Sequence, residues 1–151
     1  MASKPIVVGI DNSPGSALAL EWALNEGMLR KCPVRAITCW SLPPLYGVDV
    51  AMVAGLDPAE IERYSAEMLL RAVTEATGKI GKAKLANTTI EQVVLAGLPS
   101  QQIILESKGA EMVVVGSRGR GGFLGLLLGS TATQVIQHVT CPVVVCREET
   151  K

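Results

Sequence analysis

Apolar positions along this chain fall into two patterns, short continuous runs and longer runs with helical spacing. The first continuous run covers residues 5–10 and ends in an Asp-Asn-Ser-Pro-Gly stretch, which predicts a buried strand, a turn and then a helix. Ser13 is the expected N-cap of that helix, and Pro14 fits its first position. The predicted apolar stripe of the helix consists of Ala17, Leu20, Ala23, Leu24 and Met28.

The next segments continue the alternation of strand and helix. Residues 34–40 predict a second strand, and residues 41–56, which contain several prolines and glycines, predict a loop long enough to fold over a site. Asp57 is the expected N-cap of a second helix that ends near Thr77, with Gly78 as its stop signal. The predicted sheet-facing positions of this helix are Ile61, Met68, Leu69, Ala72, Val73 and Ala76.

Three more strands and two more helices complete the pattern. The strands are predicted at residues 89–96, 112–116 and 142–146, and the helices at residues 100–108 and 130–138. Strands that alternate with helices pair in parallel through right-handed crossovers. We therefore predict an α/β fold in one domain: a doubly wound, Rossmann-like, five-stranded parallel sheet of order 3-2-1-4-5, with helices on both faces.

Composition and charge exclude several classes of protein. The 14 basic and 14 acidic side chains cancel and form no long run of one sign, which argues against a nucleic-acid partner. The nearly apolar residues 121–129 are too few to span a bilayer, so no membrane association is expected and the cytoplasm is the predicted location. The four cysteines lack a Cys-x-x-Cys spacing and the chain has one histidine, so we expect reduced thiols and no zinc site.

A glycine-rich loop is the main candidate for chemistry. Gly116 ends the fourth predicted strand, Gly119 follows it, and Gly129 precedes Ser130 and Thr131 at the start of a helix. Glycines let backbone amides approach an anion, and a helix N-terminus favours negative charge. The lysine of a P-loop and the third glycine of the dinucleotide fingerprint are both missing. A general anion site therefore remains, with structural turn glycines as the alternative.

Four motifs spread over the whole chain carry a family resemblance. They are Ile-Val-Val-Gly-Ile-Asp-Asn-Ser at residues 6–13, Ala-Gly-Leu-Pro at 96–99, the Gly-x2-Gly-x9-Gly-Ser/Thr pattern at 116–130, and Cys-Pro-Val-Val-Val at 141–145. On these motifs the chain resembles the nucleotide-binding branch of the universal stress protein family. The resemblance implies that the chain binds ATP, with AMP and cyclic AMP as less favoured ligands.

The resemblance also implies which residues bind the nucleotide. Asp11 would lie near adenine and ribose, or cap the turn before the first helix, and it could hold Mg²⁺ or Mn²⁺ through water. Arg118 and Arg120 could clamp phosphates or remain solvated. The other implied contacts, running from the adenine end of the pocket to the phosphates, are Gly9, Ile10, Cys39, Val115, Gly116, Gly119, Gly129, Ser130 and Thr131.

The same residues predict binding rather than rapid catalysis. The glycine loop has no lysine, and the sequence offers no Walker-B acid and no clear base to orient water, so at most slow ATP hydrolysis is expected. We predict a nucleotide-dependent regulator or sensor of the stress response. In this hypothesis ATP orders residues 41–56 and exposes a surface for an unknown protein partner. The alternatives are an ATP hydrolase or phosphotransferase with real turnover and a protein that binds AMP or cyclic AMP.

The last predicted strand suggests an oligomer. Val143, Val144 and Val145 would form a bare apolar edge in a monomer, and such edges favour aggregation unless they are paired. The family resemblance implies that two subunits pair there, so a homodimer is predicted. The apolar residues of 123–128 are a further candidate for a loop cover or a subunit contact.

Overall fold

Five parallel strands form a single sheet in the computed structural model, which describes residues 2–44, 46–47, 49–119 and 127–149. Neighbouring strands follow the order β3-β2-β1-β4-β5, so the predicted topology is confirmed. The strand bounds are β1 Ile6–Gly9, β2 Val34–Trp40, β3 Ile90–Ala96, β4 Met112–Gly116 and β5 Val143–Cys146.

Helices cover both faces of the sheet. Those of the described residues are α1 Pro14–Arg30, α2 Val50–Ala54, α3 Pro58–Ile80, α4 Pro99–Glu106 and α5 Ser130–His138. Helices α1 and α3 bury their apolar sides in one core, and α4 and α5 do so in a second core on the opposite face. The predicted doubly wound α/β arrangement is therefore correct.

The position of β1 in the centre of the sheet explains why its sequence is continuously apolar. Ile6 and Val8 point into the core under α1 and α3, whereas Val7 points into the core under α4 and α5. All three side chains are fully buried. A strand covered on both faces needs no polar alternation, which is why a short apolar run predicted it.

Helix α1 begins as its sequence predicts. The Ser13 hydroxyl oxygen accepts a hydrogen bond from the Ser16 amide at 3.2 Å, and Pro14 occupies the first turn. The helix ends at Lys31, whose φ of 56° is left-handed. The predicted stripe was wrong at Ala17, which is exposed, because the face of the helix turned to the core carries Ser16 and Ala19 instead.

Two predictions about residues 41–80 were wrong. The predicted loop contains the short helix α2, capped by Asp49, whose carboxylate accepts a hydrogen bond from the Ala51 amide at 3.1 Å. Helix α3 starts after Asp57 as expected but does not stop at Gly78. It continues to Ile80 and ends at Gly81, which has a φ of 103° and whose N–H bonds Thr77 O at 2.9 Å.

The remaining differences are small shifts of boundaries. Strands β1, β3 and β5 are one or two residues shorter than predicted, and α4 begins at Pro99 rather than Ser100 and ends at Glu106 rather than Lys108. Helix ends commonly differ by this much because terminal turns fray. Within the described ranges, no helix combines the length and the apolar character needed to cross a membrane.

Candidate functional site

A cleft opens at the carboxyl ends of β1 and β4. The chain leaves β1 toward β2 and β3 on one side, while β4 and β5 lie on the other, so the strand order reverses between β1 and β4. The cleft holds about 550 Å³ of space between its walls, part of which is open to solvent. Loops and helix starts that follow the strands form its walls.

Most of the predicted site residues line this cleft. They are Gly9, Ile10, Asp11, Cys39, Val115, Gly116, Arg118, Gly119 and Thr131. Gly129 and Ser130 do not line it, although they lie one and two residues before Thr131. Ser130 is exposed at the start of α5, and the Gly129 amide donates to Ser117 O at 2.6 Å. Arg120 and residues 123–126 lie outside the described residues.

Asp11 is held by the turn that starts α1. Its Oδ1 accepts hydrogen bonds from the Ser13 amide at 3.0 Å and from the Ser13 hydroxyl at 2.5 Å. The Ser16 hydroxyl donates to Ser13 O at 3.0 Å and accepts from the Asp11 amide at 3.3 Å. Asp11 therefore both caps this turn and lines the cleft. Its role beside a nucleotide stays a prediction.

Gly116 is required by packing between β4 and α1. A Cβ on Gly116 would lie 2.7 Å from the Gly15 carbonyl carbon and 3.0 Å from the Ser16 amide nitrogen. These are backbone atoms at the start of a helix, and they cannot move aside individually. The absence of a side chain at Gly116 thus lets the N-terminus of α1 approach the glycine loop.

Gly119 has a different neighbour. A Cβ on Gly119 would lie 2.7 Å from Oδ2 of Asp11 and, among the described residues, would meet no backbone atom within 4 Å beyond its chain neighbours. This glycine therefore leaves room for the Asp11 carboxylate at the rim of the cleft. The two glycines of one motif serve two purposes, one in packing and one beside the acidic side chain of the site.

The wall of the cleft on the α4 side is apolar. Ile37 and Val115 are buried on the floor, and Ile103 of α4 reaches over the end of β1. The Cδ1 atom of Ile103 lies 2.7 Å from the position that a Cβ would take on Gly9, so the bare backbone of Gly9 makes room for it. This wall suits a flat, weakly polar group better than a charged one.

Several lining residues were not predicted as site residues. Ser13 was interpreted only as a helix N-cap, and Ser16 and Ile103 were not considered as site residues. Pro99 belongs to one of the four family motifs, which was the available signal for it. The additional lining residues are Ser13, Ser16, Ile37, Pro99, Ile103 and Ala132.

The charges of the cleft are few. Asp11 is the acidic and Arg118 the basic side chain among the described lining residues. Burial raises the pKa of the Cys39 thiol from its usual value near 9 to about 11, so this thiol stays protonated at neutral pH. Within the described residues, no three His, Cys, Asp or Glu side chains cluster as a metal site would require.

The segment predicted to fold over the site does not line the cleft. No described residue of 41–56 is among the lining residues, and in that range only Val53 is even half-buried. The first lining residue on that side is Cys39, near the end of β2. The cleft therefore combines an apolar wall, one acid, one arginine and the N-terminal turn of α5.

This arrangement is suited to binding an elongated ligand with an apolar and an anionic end. The start of α5, beside residues 116–119, places the positive end of a helix dipole on one side. Ile37, Ile103 and Val115 provide the apolar side. The described residues of the cleft include no histidine, lysine or paired carboxylates that would serve acid–base catalysis.

Comparisons with known proteins identify the family of the chain. Residues 2–147 match the family model described as the universal stress protein family. A universal stress protein of Mycobacterium tuberculosis is 34% identical over 144 residues, which are 95% of this chain and 45% of that protein. The chain thus spans about half the length of the curated relatives that it matches.

Solved structures share the fold. A universal stress protein in complex with cAMP has a TM-score of 0.67 at 21% identity, over 97% of this chain and 98% of that one. The universal stress protein of Archaeoglobus fulgidus in complex with dAMP has a TM-score of 0.55 at 22% identity, over 97% and 99% of the two chains. At these identities the likeness concerns the fold.

Proposed function

The chain belongs to the universal stress protein family, and we propose that it binds an adenine nucleotide, with ATP as the preferred ligand, in the cleft between β1 and β4. The observation that carries this proposal is one cleft with an apolar wall on one side and a glycine loop next to a helix N-terminus on the other. An adenine ring and a phosphate chain have the same division of properties.

The proposed orientation follows from the two sides of the cleft. Adenine would pack against Ile37 and Ile103, within reach of the backbone at Cys39. The ribose would lie near Asp11, and the phosphates would extend toward Gly119 and Thr131. Two solved structures with the same fold carry cAMP and dAMP, which are adenine nucleotides, and this supports the choice of base.

A divalent cation would enter with the nucleotide. Mg²⁺ or Mn²⁺ commonly binds the phosphate oxygens and keeps several waters, so a single nearby carboxylate is enough. Asp11 is that carboxylate, and because its Oδ1 already accepts two hydrogen bonds from Ser13, we propose contact through water. The cation would offset phosphate charge, while Asp11 keeps its position through Ser13.

We propose a regulator or sensor rather than an enzyme with rapid turnover. The described lining residues include one arginine and one carboxylate next to the start of α5, and these groups would bind and orient phosphates. A base that activates water is missing from the described lining, so hydrolysis would be slow. Nucleotide occupancy would be the signal, and a protein partner would respond to it.

A homodimer through β5 is part of the proposal. This strand lies at the edge of the sheet, and its four residues are half-buried. Val113 N donates to Pro142 O and Ser117 N donates to Cys146 O, so the even-numbered peptide carbonyls face β4. The peptide groups of Val143 and Val145 consequently face outward, where a second copy of the strand could pair with them.

Calorimetric titration tests the nucleotide proposal. We expect ATP with Mg²⁺ to bind at one site per chain more tightly than AMP or cyclic AMP, and GTP to bind more weakly because its base has different polar edges. Asp11→Ala should weaken ATP binding, whereas Leu29→Ser, an exposed change on α1 away from the cleft, should not. Equal binding of GTP and ATP, or unchanged ATP binding by Asp11→Ala, would contradict the proposed site.

A further inference from the structure

Helix α4 forms the apolar side of the cleft, yet few contacts hold it in place. All eight of its residues are described, and among them Ile103 is the buried one. Its N-cap is Leu98, a side chain that has no acceptor for the free amides of the first turn. A helix of this length is marginal by itself. The position of α4 over the sheet therefore depends on how its ends are bound.

An ion pair binds the carboxyl end of α4 to the sheet. Nη1 of Arg35, on β2, donates to Oε2 of Glu106 at 3.0 Å. Nε of the same arginine donates to Oε2 of Glu91, on β3, at 2.7 Å. Arg35 thus holds one carboxylate from the helix and one from the neighbouring strand. The side chains of Arg35 and Glu106 are 30% and 29% exposed, so water screens this pair only in part.

Glu106 depends on this partner more than an ordinary surface carboxylate would. It is the last residue of α4, where the helix dipole is negative and a further negative charge is unfavourable. The last turn of α4, which is fully described, contains no basic residue. Without Arg35, Glu106 would also face Glu91, because both carboxylates bind the same guanidinium. Loss of Arg35 would therefore push the end of α4 away from the sheet.

Helix α4 runs antiparallel to β2, so the ion pair and the cleft lie at opposite ends of it. Arg35, Ile37 and Cys39 alternate along β2 and therefore point to the same face of the sheet. Along this face, one residue of each element meets the other in an ion pair, in a shared buried core and at the cleft. The three pairs are Arg35 with Glu106, Ile37 with Ile103, and Cys39 with Pro99.

Ile103 converts the position of α4 into the width of the cleft. It lies three residues before Glu106, so both side chains are on the same side of the helix. Its Cδ1 atom is 2.7 Å from the position that a Cβ would take on Gly9, which places it against the bare backbone of β1. An outward shift of α4 would open this contact and widen the cleft where adenine is proposed to pack.

We propose that Arg35 is a positioning residue of the cleft: it holds α4 through Glu106 and thereby keeps Ile103 over Gly9. Arg35 is not among the described lining residues, so it acts without touching the ligand. A wall that is already in place binds a flat base without first having to be ordered. The effect on ATP affinity rests on the proposed nucleotide function, whereas the placement of Ile103 can be measured without a nucleotide.

The first test is NMR of the full chain without nucleotide. The Gly9 hydrogen that stands in place of a Cβ points at the Ile103 methyl group, so wild type should show a strong NOE between them. Glu106→Leu removes the bond from Arg35 to α4 and keeps a good helix former, and it should weaken this NOE. Arg35→Met should do the same. Glu91→Leu is the matched control, because it takes the other carboxylate from Arg35 and leaves the bond to Glu106.

The second test is calorimetric titration of the same variants with ATP and Mg²⁺. Glu106→Leu and Arg35→Met should each lower the ATP affinity about tenfold, the lower end of what one methylene contributes in an apolar pocket. Glu91→Leu should leave the affinity unchanged. The double variant of Arg35 and Glu106 should lose no more affinity than Arg35→Met alone, because both changes remove the same bond. Urea unfolding of each variant shows that it is folded under the conditions of the titration.

The other outcomes separate the two proposals. A wild-type NOE in Glu106→Leu overturns the positioning role. An equal loss of NOE and affinity in Glu91→Leu also overturns it, since the effect would then be one of general charge or stability. A weakened NOE with unchanged ATP affinity would show that Arg35 places α4 without serving the cleft, which rejects the proposal. If wild type binds no ATP while the NOE responds as expected, the nucleotide function fails and the placement of Ile103 by Arg35 stands.

Discussion

Gly116→Ala tests the packing between the glycine loop and α1. The new Cβ would lie 2.7 Å from the Gly15 carbonyl carbon, 3.0 Å from its oxygen and 3.0 Å from the Ser16 nitrogen. Ordinary contacts of a methyl group are near 3.5–4.0 Å, so β4 and the start of α1 must separate by roughly half an ångström or more. Overpacking of this kind costs about 1–3 kcal/mol of the free energy of unfolding.

The measurement is urea unfolding followed by circular dichroism. For a slope of about 2 kcal/mol per molar urea, a loss of about 2 kcal/mol lowers the midpoint by about 1 M. Gly78→Ala is the control, because Gly78 lies inside α3 and a Cβ there would meet no atom of the described residues within 4 Å. Alanine in a helix should stabilise the chain by about 0.5–1 kcal/mol. If Gly116→Ala is as stable as wild type, the packing role of Gly116 is refuted.

Three further predictions concern the cleft and the sheet edge. In Gly119→Ala the new Cβ would lie 2.7 Å from Oδ2 of Asp11, so the carboxylate would have to move. The ATP affinity measured by calorimetry should then fall about tenfold, because a charge-assisted hydrogen bond of this carboxylate is distorted. The urea midpoint of Gly119→Ala should drop less than that of Gly116→Ala. The reverse order would contradict a packing role for Gly116 and a role beside Asp11 for Gly119. Because burial raises the pKa of Cys39 to about 11, the folded state favours the thiol. The contribution of the Cys39 thiol to the free energy of unfolding should be complete below pH 9 and lost as the pH rises to 11. Alkylation of Cys39, located by mass spectrometry, should therefore be slow at pH 8, and rapid alkylation would contradict its burial. Sedimentation equilibrium of the wild-type chain should give twice the mass of one chain. Val145→Pro, which removes an outward-facing N–H of β5, should give the mass of a monomer. Equal masses of the wild type and the variant would argue against pairing through β5.

The fold could be predicted because its strong signals are local. The apolar runs of β1 and β4 are short, continuous and bounded by turn residues, which indicates strands buried on both faces. Ser13, Asp57 and the prolines that follow them fixed two helix starts. The end of α3 could not be predicted, because Gly78 and Gly81 are both stop candidates and only the backbone shows which has a positive φ.

The site was predictable in part for a different reason. The family resemblance placed Asp11, Cys39, Gly116 and Gly119 in one pocket, and the cleft contains all four. The reason for each glycine was not accessible from the sequence, since it depends on a neighbour in space. This neighbour is the backbone at the start of α1 for Gly116 and the Asp11 carboxylate for Gly119. Ser130 is the first residue of α5 and is exposed, so it does not line the cleft. The rotation of α5 about its axis decides this, and the spacing of residues in the sequence does not determine that rotation.

Amide NMR during a titration with ATP and Mg²⁺ reports both whether the nucleotide binds and where it binds. We predict saturable shifts at Ile10, Asp11, Gly119 and Thr131. Little change is expected in the polar groove between α1 and α3 at Glu21, Arg71 and Lys79. Saturable shifts centred on that groove, or none at millimolar ATP, would contradict the assignment of the cleft as the nucleotide site.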